Sequence, residues 1–267
     1  MIPVNMSPDI TEETIHIMGV NSSGQGVGRL EDGSVIFVPR TVPGDTVKVT
    51  VTMKKSRWSK GRLIEIISPS LDRVEPVCEY FGVCNGCALQ HMEYGAQLKW
   101  KINSVEESLK RIAGKKISVS GIEPSPQEYN YRSRLTFTLL RLPESRVVAG
   151  FHSLNLPERI EDIGETCSIG ETSLLKAWKS LRENWGENAR LLPAGRKLKL
   201  TLRTVDGGVA LVIHGGKKYG RADLLIDKTP EIVSIWNVDI KGEKHLLAGS
   251  RLLFDERIGS TISVGAT

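Results

Sequence analysis

The sequence predicts an α+β protein with two domains, a small β-barrel over residues 1–70 and a larger domain over residues 71–267. Two observations lead to this prediction. The first region consists of short segments rich in β-branched residues, separated by turns that contain glycine or proline, which is typical of a small barrel. In the second region, strand-like hairpins are interspersed with segments of helical periodicity, which indicates a mostly antiparallel sheet with helices.

The barrel is predicted to have five strands with one buried face. The predicted strands cover residues 14–20, 26–30, 34–39, 46–53 and 61–67. In the fourth, the apolar residues from Val47 to Met53 alternate with polar neighbours. The run "GQGVG" (24–28) resembles part of a dinucleotide-binding fingerprint. Because no helix follows it, we interpret its glycines as turn and bulge residues.

A basic segment around one tryptophan joins the last two predicted strands. Its candidate RNA contacts are Lys54, Lys55, Arg57, Trp58, Lys60 and Arg62. Cations can contact phosphates, and an indole ring can stack on a base. On these residues alone, a solvated hairpin with Trp58 packed on the barrel is an equally good interpretation.

The second domain is predicted to contain two long helices and several strands. Residues 94–113 carry an apolar stripe formed by Leu98, Ile102, Val105, Leu109 and Ile112. Residues 170–186 form the second predicted helix, which ends at Gly186. The predicted strands lie in hairpins at 134–152 and 197–215 and in the segments 231–240 and 251–259. We assign Trp178, Trp185 and Trp236 to core packing, because they fall on apolar faces.

Three of the four cysteines lie within ten positions. Cys78, Cys84 and Cys87 have the spacing C-x5-C-x2-C, and 79 residues separate Cys87 from Cys167. Structural zinc sites usually use two short pairs of ligands, whereas only one short pair is present here. A three-plus-one arrangement better matches an iron-sulfur cluster held by four thiolates. His91 as a zinc ligand and structural thiols without metal are the alternatives.

Composition restricts the partners and the compartment only weakly. The chain has 36 Lys and Arg against 31 Asp and Glu, a net charge of +5 that mildly favours a polyanion without identifying one. The N-terminus lacks the pattern of a signal peptide, and no apolar run is long enough to span a membrane. We therefore predict a cytoplasmic protein without membrane contact. In that reducing compartment, clustered cysteines favour metal binding or catalysis over disulfides.

Longer motifs resemble a known family. The first 70 residues, with "FVPRTVPGD" and "SPSLDRVEP", look like a TRAM domain, an OB-like RNA-binding barrel. The stretch "RVEPVCEYFGVCNGCALQHMEYGAQLKWK" (73–101), followed by "YRSRLTF", "GFH" and the distant fourth cysteine, resembles the iron-sulfur branch of the RNA uracil-C5 methyltransferases of the 23S rRNA type. The resemblance implies a 4Fe-4S cluster held by Cys78, Cys84, Cys87 and Cys167. Asn85 stands where the family often has glycine.

The same resemblance implies a reaction. Enzymes of this family add a cysteine thiolate to C6 of uracil, transfer a methyl group from S-adenosylmethionine to C5, and remove the C5 proton with a general base. Here the cluster takes all four cysteines, and no strand followed by a glycine-rich turn and a helix is recognised for S-adenosylmethionine. We therefore expect the RNA-binding and cluster portions of such an enzyme, with no catalytic residue. We expect this chain to lack the catalytic domain, to be inactive alone, and to pack helix 94–113 on the missing domain.

The expected partner is RNA, with rRNA favoured over tRNA, and the expected state is a monomer. Arg132 and Arg134, beside two tyrosines, are further candidate RNA contacts, and solvated strand-edge arginines are an equal alternative. In "HGGKK" and just beyond it, Lys217, Lys218 and Arg221 are weaker candidates for a phosphate contact. The alternative function is a non-catalytic RNA-binding module with a structural metal site of four cysteines. A radical-type adenosylmethionine enzyme is disfavoured. The cluster loop of that class has three and then two residues between its cysteines, whereas this loop has five and then two.

Overall fold

The computed structural model describes residues 11–217, 220–255 and 260–263. It divides into two compact units: the barrel unit, residues 1–77 and 87–126, and the sheet unit, residues 78–86 and 127–267. Both units contain sheets and few helices, so the predicted α+β class is confirmed. The units follow a different division from the predicted boundary at residue 70, because the long helix belongs with the barrel and residues 78–86 belong with the second unit.

The barrel unit contains a six-stranded sheet in the order β1-β5-β6-β4-β3-β2. Its strands are β1 (Glu12–His16), β2 (Gly19–Val20), β3 (Gly26–Arg29), β4 (Val35–Val38), β5 (Thr46–Lys54) and β6 (Trp58–Ser68). Strands β4 and β6 are parallel, and the other pairs are antiparallel. The two edge strands, β1 and β2, are consecutive pieces of one segment. The sheet is therefore closed on itself as a barrel.

Two predicted strand boundaries in the barrel are wrong. The predicted strand 14–20 is two strands, because the chain changes partners between them: Ile17 N–H bonds to the carbonyl of Asp45, and Met18 N–H bonds to that of Val27. Strand β6 begins at Trp58 rather than at residue 61, since residues 58–60 pair with β4. Trp58 and Lys60 consequently lie on a strand, where we predicted a loop.

The interior of the barrel consists of aliphatic side chains. The buried residues are Ile15, Ile17, Leu30, Ile36, Val38, Val47, Val49 and Val51. Gly26 has no room for a side chain, because an added Cβ would lie 1.9 Å from Thr41 Oγ1. Gly24 has a φ of +75°, in the region that favours glycine. Gly24 lies in a turn, as predicted, and its N–H bonds to the carbonyl of Asn21. The predicted bulge is wrong, because Gly26 and Gly28 pair in regular register with Val38 and Ile36.

Helix α1 (Tyr94–Ala113) has the predicted bounds and belongs to the barrel unit. Glu93 caps its first turn by accepting hydrogen bonds from the N–H groups of Gly95 and Ala96, both at 2.8 Å. Its first turns pack on the barrel: Ala96 is buried in a cluster with Val42 and Met92. Towards its end, the apolar stripe is exposed, with Val105 at 49% and Ile112 at 79%. Packing of this stripe on a further domain stays a prediction.

The sheet unit is built on a seven-stranded sheet in the order β13-β12-β11-β10-β7-β8-β9. Its strands are β7 (Arg134–Arg141), β8 (Val147–His152), β9 (Ile160–Asp162), β10 (Lys197–Val205), β11 (Gly208–His214), β12 (Ile232–Val238) and β13 (Lys244–Gly249). Only β11 and β12 are parallel among these neighbours. A separate hairpin follows, formed by β14 (Leu252–Asp255) and β15 (Ser260–Ser263).

Helix α2 (Thr172–Asn184) covers one face of this sheet and contacts β10 and β11. Its buried residues are Leu174, Ala177, Trp178 and Leu181. The ring of Trp178 stacks on Phe137 with centroids 3.8 Å apart, and Trp185 meets Trp178 edge-on at 5.9 Å. Trp236 is also buried and donates its indole N–H to the carbonyl of Leu252. The assignment of the three tryptophans to the core is confirmed.

Helix α3 (Ala222–Ile226) lies in the chain between the parallel strands β11 and β12. The expectation that no strand, glycine-rich turn and helix hold S-adenosylmethionine stays a prediction. Helix α3 has only five residues, too few for the helix N-terminus that a dinucleotide fingerprint uses. Within the described residues, no helix is both long and apolar enough to cross a membrane.

Candidate nucleic-acid interface and cysteine loop

An aromatic and basic surface, here called the barrel patch, consists of Phe37, Trp58 and Lys60 on the outside of the barrel. Strands β4 and β6 bring these residues together, because Phe37 is paired with Lys60. The rings of Phe37 and Trp58 have centroids 6.2 Å apart, and Lys60 Nζ lies 5.9 Å from the Trp58 ring. An aromatic surface beside a cation can stack a base and contact its phosphate.

The other predicted RNA contacts of the barrel lie at the same end of the β5–β6 hairpin. Lys55 and Arg57 are exposed in the turn, and Arg62 is exposed on β6. Lys54 is different, because its ammonium group forms a 2.8 Å ion pair with Asp32. This pair lowers the pKa of Asp32 and raises the pKa of Lys54. Sequence analysis missed Phe37, although the alternation of residues 35–38 could have placed it on the outer face.

A buried ion pair joins the barrel to the segment that leaves it. Asp45 is fully buried and accepts hydrogen bonds from Arg73 Nη2 at 2.6 Å and from the N–H groups of Val42 and Ser70. Burial alone would raise the pKa of Asp45, but the hydrogen bonds from Arg73 and the two N–H groups outweigh it and lower the pKa. The pair therefore holds the chain around residue 70 against the barrel.

His91 lies near this pair in the barrel unit and is 1% exposed. Burial, with smaller contributions from the charges of Arg73 and Arg40, lowers the pKa of His91 to about 4. Its imidazole is therefore neutral at pH 7. Two neighbouring guanidinium groups oppose a metal cation at this place, which argues against the alternative of His91 as a zinc ligand.

The cysteine loop, residues 78–86, is tightly folded within the sheet unit. The N–H of Cys84 bonds to the carbonyl of Tyr80 at 2.7 Å, and the N–H of Gly86 donates to Cys84 Sγ at 3.2 Å. The loop docks on strand β8, because the N–H of Asn85 bonds to the carbonyl of His152. Cys84 is buried and Cys78 is half-buried. A backbone N–H thus lies against a cysteine sulfur, at Gly86.

Two hydrogen bonds also attach this loop to the segment that carries Cys167. The hydroxyl of Thr166 donates to the carboxylate of Glu79, and the N–H of Gly164 donates to the Tyr80 hydroxyl at 3.2 Å. Cys167 is buried at 6% exposure. Cys87 belongs to the barrel unit, where Arg40 donates a hydrogen bond to its carbonyl.

Across the part of the chain that the structure describes, no group of three or more His, Cys, Asp and Glu side chains is placed to hold a metal ion. The structure therefore does not show an iron-sulfur loop. The ligand set Cys78, Cys84, Cys87 and Cys167 stays a prediction from the sequence.

The two arginines predicted as RNA contacts of the second domain lie at the start of β7. The backbone of Arg132 forms a bridge with Gly170, and its side chain is exposed. Arg134 is the first residue of β7, where it lies directly opposite Arg203 of β10. Tyr131 is 54% exposed beside them. Their contact with RNA stays a prediction.

The sheet unit also contains a cavity of about 690 Å³ with four arginines in its lining, Arg141, Arg190, Arg196 and Arg221. Arg141 is structural, because its guanidinium donates to backbone carbonyls that include those of Asn188, Ala189 and Pro193. Of the predicted phosphate contacts in this region, Arg221 lines the cavity and is paired with Asp223 at 2.8 Å. Lys218 lies outside the described residues.

Comparison with known proteins identifies the barrel and a set of relatives. Residues 11–64 match the family model of the TRAM domain. An RNA methyltransferase of Porphyromonas gingivalis is 29% identical over 292 residues, which covers 94% of this chain and 62% of that protein. A 23S rRNA (uracil(1939)-C(5))-methyltransferase of Polynucleobacter necessarius is 33% identical over 162 residues, which covers 56% of this chain and 34% of the relative.

The chain spans about a third of the length of the first curated relatives it matches, at 36%, 29% and 38%. Among solved structures, the tRNA (uracil-54, C5)-methyltransferase of Pyrococcus abyssi, in complex with S-adenosyl-L-homocysteine, is similar in fold with a TM-score of 0.59 and 20% identity. That similarity covers 90% of this chain and 56% of the archaeal protein. The expectation that these 267 residues lack the catalytic domain gains no support from this similarity and stays a prediction.

Proposed function

We propose that this chain is the RNA-recognising part of an S-adenosylmethionine-dependent RNA methyltransferase that modifies uracil C5, with 23S rRNA as the substrate. The observation that carries the proposal is sequence similarity to an RNA methyltransferase along 94% of the chain. Relatives that act on uracil C5 of 23S rRNA support the finer assignment. The preference for rRNA over tRNA, the monomeric state and the cytoplasmic location stay predictions.

The barrel patch supports a specific role for this chain in that reaction. S-adenosylmethionine would supply the methyl group, and we assign no residue of this chain to it or to the chemical step. Trp58 and Phe37 offer aromatic surface to an unpaired base, and Lys60 offers a cation to the neighbouring phosphate. Single-stranded loops are the parts of an RNA whose bases can be reached in this way. The proposed role is therefore to bind and orient an RNA loop.

Replacement of Trp58 tests the barrel patch. We expect Trp58→Ala to weaken binding of a uridine-containing RNA loop by roughly 10-fold or more, because stacking of one base on an aromatic ring is worth about 1–3 kcal/mol. Ile67→Ala is the matched control, since Ile67 is an exposed apolar residue on the same strand. Equal RNA affinities of the two variants, measured by fluorescence anisotropy, would contradict an RNA-binding barrel patch.

We further propose that Cys78, Cys84, Cys87 and Cys167 hold a 4Fe-4S cluster. The spacing of the cysteines supports this, as does the N–H of Gly86, which donates to Cys84 Sγ and can stabilise a thiolate. The docking of the loop on Thr166 and Gly164 supports a shared site for Cys167. A cluster of this kind would be structural, tying two distant segments together without a part in methyl transfer.

Metal analysis tests the cluster. Protein purified without oxygen is expected to be brown and to contain about four irons per chain, and Cys167→Ser is expected to lose most of them. His91→Gln is expected to retain the iron, because His91 is not among the proposed ligands. Colourless native protein with one zinc would rule out the cluster.

A methylation assay tests the proposed reaction. We expect 5-methyluridine in 23S rRNA when the protein to which this chain belongs is incubated with S-adenosylmethionine, and none when the 267 residues are incubated alone. Mass spectrometry of digested rRNA gives the readout. Methylation by the 267 residues would contradict the expected inactivity. Absence of the product in both reactions would contradict the assignment of a methyltransferase.

A further inference from the structure

The cavity of the sheet unit, here called the arginine cavity, lies where two connections of the chain meet. One connection joins α2 to β10, and the other joins β11 to α3. The N–H of Lys217 bonds to the carbonyl of Ala194 at 2.8 Å, and the N–H of Arg221 bonds to that of Leu191 at 2.9 Å. Gly220 permits the close approach, because its φ is +65° and an added Cβ would lie 2.6 Å from the carbonyl oxygen of Leu191. The backbone therefore forms this cavity without a ligand.

Arg141, at the end of β7, contributes a half-buried charge to the lining. Its guanidinium donates to the carbonyls of Asn188 and Ala189 at 2.9 and 2.8 Å. These two residues have φ values of +52° and +51°, a conformation that alanine rarely adopts, and the bonds from Arg141 stabilise it. Burial lowers the pKa of Arg141 without making it neutral at pH 7. Arg141 therefore holds the connection in place and adds a positive potential to the cavity.

Two further arginines of the lining can reach a ligand directly. Arg190 and Arg196 are both exposed, and within the described part of the chain neither side chain forms an ion pair or a hydrogen bond. Arg221, which the sequence suggested as a phosphate contact, is instead engaged by the carboxylate of Asp223 at 2.8 Å. A planar guanidinium can donate two parallel hydrogen bonds to a phosphate. Arg190 and Arg196 are therefore the cations placed to bind an anion here.

The side chain of Asn188 indicates that the ligand is more than an anion. Its amide oxygen is buried, and among the described residues no donor bonds to it. A buried acceptor without a partner lowers stability, and an N–H or O–H group of a ligand would satisfy it. Leu192 and Ala194 add apolar surface to the same lining. A nucleotide combines the required groups, since it carries a phosphate, N–H and O–H donors, and the apolar surface of a base.

The size of the cavity limits how much of a nucleic acid can enter. Its volume of about 690 Å³ lies within the roughly 300–1,000 Å³ that is typical of small-molecule sites. One unstacked nucleotide of a single strand can enter such a space, whereas a helix cannot. Single-stranded segments are also the parts of an RNA from which a protein can take one base out of the stack.

We propose that the arginine cavity binds one nucleotide of a single-stranded RNA. Arg190 and Arg196 bind its phosphate, and the amide oxygen of Asn188 accepts a hydrogen bond from its base or ribose. Arg141 is a positioning residue, because its donors are used by backbone carbonyls. The inference rests on the proposed function and deepens it, because it gives the sheet unit an RNA site of its own beside the barrel patch of the other unit.

The test removes the two available charges and compares them with two charges removed elsewhere in the sheet unit. The test variant is Arg190→Gln/Arg196→Gln. The control is Lys176→Gln/Lys228→Gln, since Lys176 is exposed on α2 and Lys228 is exposed just after α3. A third variant, Asn188→Asp, keeps the shape of the side chain and places a carboxylate in the cavity. A labelled oligouridine is titrated with each protein over a series of salt concentrations, and uridine monophosphate is titrated by calorimetry.

We expect the test variant to bind the oligouridine roughly 10-fold more weakly than the native chain near physiological salt. Its slope of log affinity against log salt is expected to fall by about one, because one phosphate is no longer neutralised. Asn188→Asp is expected to bind more weakly as well, since its carboxylate repels the phosphate. The control is expected to bind like the native chain. Melting temperatures close to the native value are expected for all three variants, because the exchanged side chains lie outside the apolar core.

The outcomes separate this inference from the function on which it rests. If the test variant and the control bind the oligouridine alike while Trp58→Ala weakens binding, the proposed function stands and this inference is overturned. Uridine monophosphate bound by the native chain but not by the test variant would then assign the cavity to a free nucleotide. If the native chain binds no RNA even at low salt, the proposed function fails, and the inference fails with it.

The third variant tests whether the RNA enters the cavity. If Asn188→Asp binds the oligouridine like the native chain while the test variant binds it weakly, the RNA contacts the two arginines from outside. That result would also overturn the inference, because the amide oxygen of Asn188 would then have no part in binding.

Discussion

The barrel unit and the sheet unit use charge in opposite ways. In the barrel unit, Asp45 and Arg73 form a buried pair of opposite charges, joined by a 2.6 Å hydrogen bond. In the sheet unit, the core around Trp178 is aromatic, and the like charges of Arg134 and Arg203 are direct partners across β7 and β10. The comparison separates a pair of opposite charges that stabilises a fold from like charges that strand register places side by side. Each of the following predictions tests one side of it.

The largest expected effect lies in the core of the sheet unit. Trp178 is fully buried between α2 and the sheet and stacks on Phe137. We expect Trp178→Ala to lower the free energy of unfolding by about 4 kcal/mol, because it removes a large aromatic side chain and leaves a cavity. Trp58→Ala, at a half-buried position, is expected to cost much less. Denaturant unfolding measures both variants. Similar losses of unfolding free energy for Trp178→Ala and Trp58→Ala would contradict the assignment of Trp178 to the core and of Trp58 to the surface.

The second effect concerns the buried pair of the barrel unit. We expect Asp45→Asn to lower the free energy of unfolding by about 3 kcal/mol, because Arg73 loses the charge of its partner. The pKa of Asp45 is lowered in the folded protein, so this stabilisation is present above about pH 4 and is lost as the pH falls through the lower, folded value. The variant should therefore show a shallower loss of stability below about pH 4. A variant as stable as the native protein would show that the pair does not stabilise the barrel.

The third effect has a separate pH window. The pKa of His91 is about 4 in the folded protein, below its ordinary value of about 6.5. Because the unfolded chain takes up the proton first, the free energy of unfolding is expected to fall by about 2 kcal/mol between about pH 7 and pH 5. His91→Gln should flatten this part of the pH profile and leave the decline at more acidic pH in place. If the free energy of unfolding of the variant falls as steeply between about pH 7 and pH 5 as that of the native protein, groups other than His91 cause the fall.

The smallest effect is expected at Lys54. Its ion pair with Asp32 is exposed, and exposed pairs contribute little to stability. We expect Lys54→Gln to leave the melting temperature unchanged and to weaken RNA binding less than Lys60→Gln, because Lys54 is engaged by Asp32. RNA titrations of the two variants at one salt concentration give the comparison. A larger loss for Lys54→Gln would show that RNA displaces Asp32 from the pair.

Much of the fold followed from periodicity. The bounds of α1 agree with the prediction from its apolar stripe, and the hairpin of β10 and β11 turns where Gly207, with a φ of +80°, allows it. Short elements were missed, among them β9, α3 and β13. These segments have three, five and six residues, too few for a periodic signal, and they form because neighbouring elements supply their hydrogen bonds and packing.

Among the candidate RNA contacts, some could be selected from the local sequence, and others could be found only from the pairing of strands. The composition of "MKKSRWSKGR" was enough to select Lys60 and Trp58, because a basic segment with a single indole stands out in the sequence. Phe37 could be joined to them only through the pairing of β4 with β6, two strands that are not adjacent in the chain. The pairing of Arg134, another predicted RNA contact, with Arg203 likewise depends on the register of β7 with β10 and has no local pattern in the sequence.

By itself, the sequence determined the class of the fold, the barrel, the two long helices and the spacing of the four cysteines, because each is a local pattern of residue types. The tertiary structure alone decided that β1 and β2 close the barrel, that Asp45 meets Arg73, and that arginines face each other on the sheet. Such contacts join residues far apart in the chain. They arise from strand pairing and from burial of the aliphatic and aromatic cores, so no window of the sequence contains them.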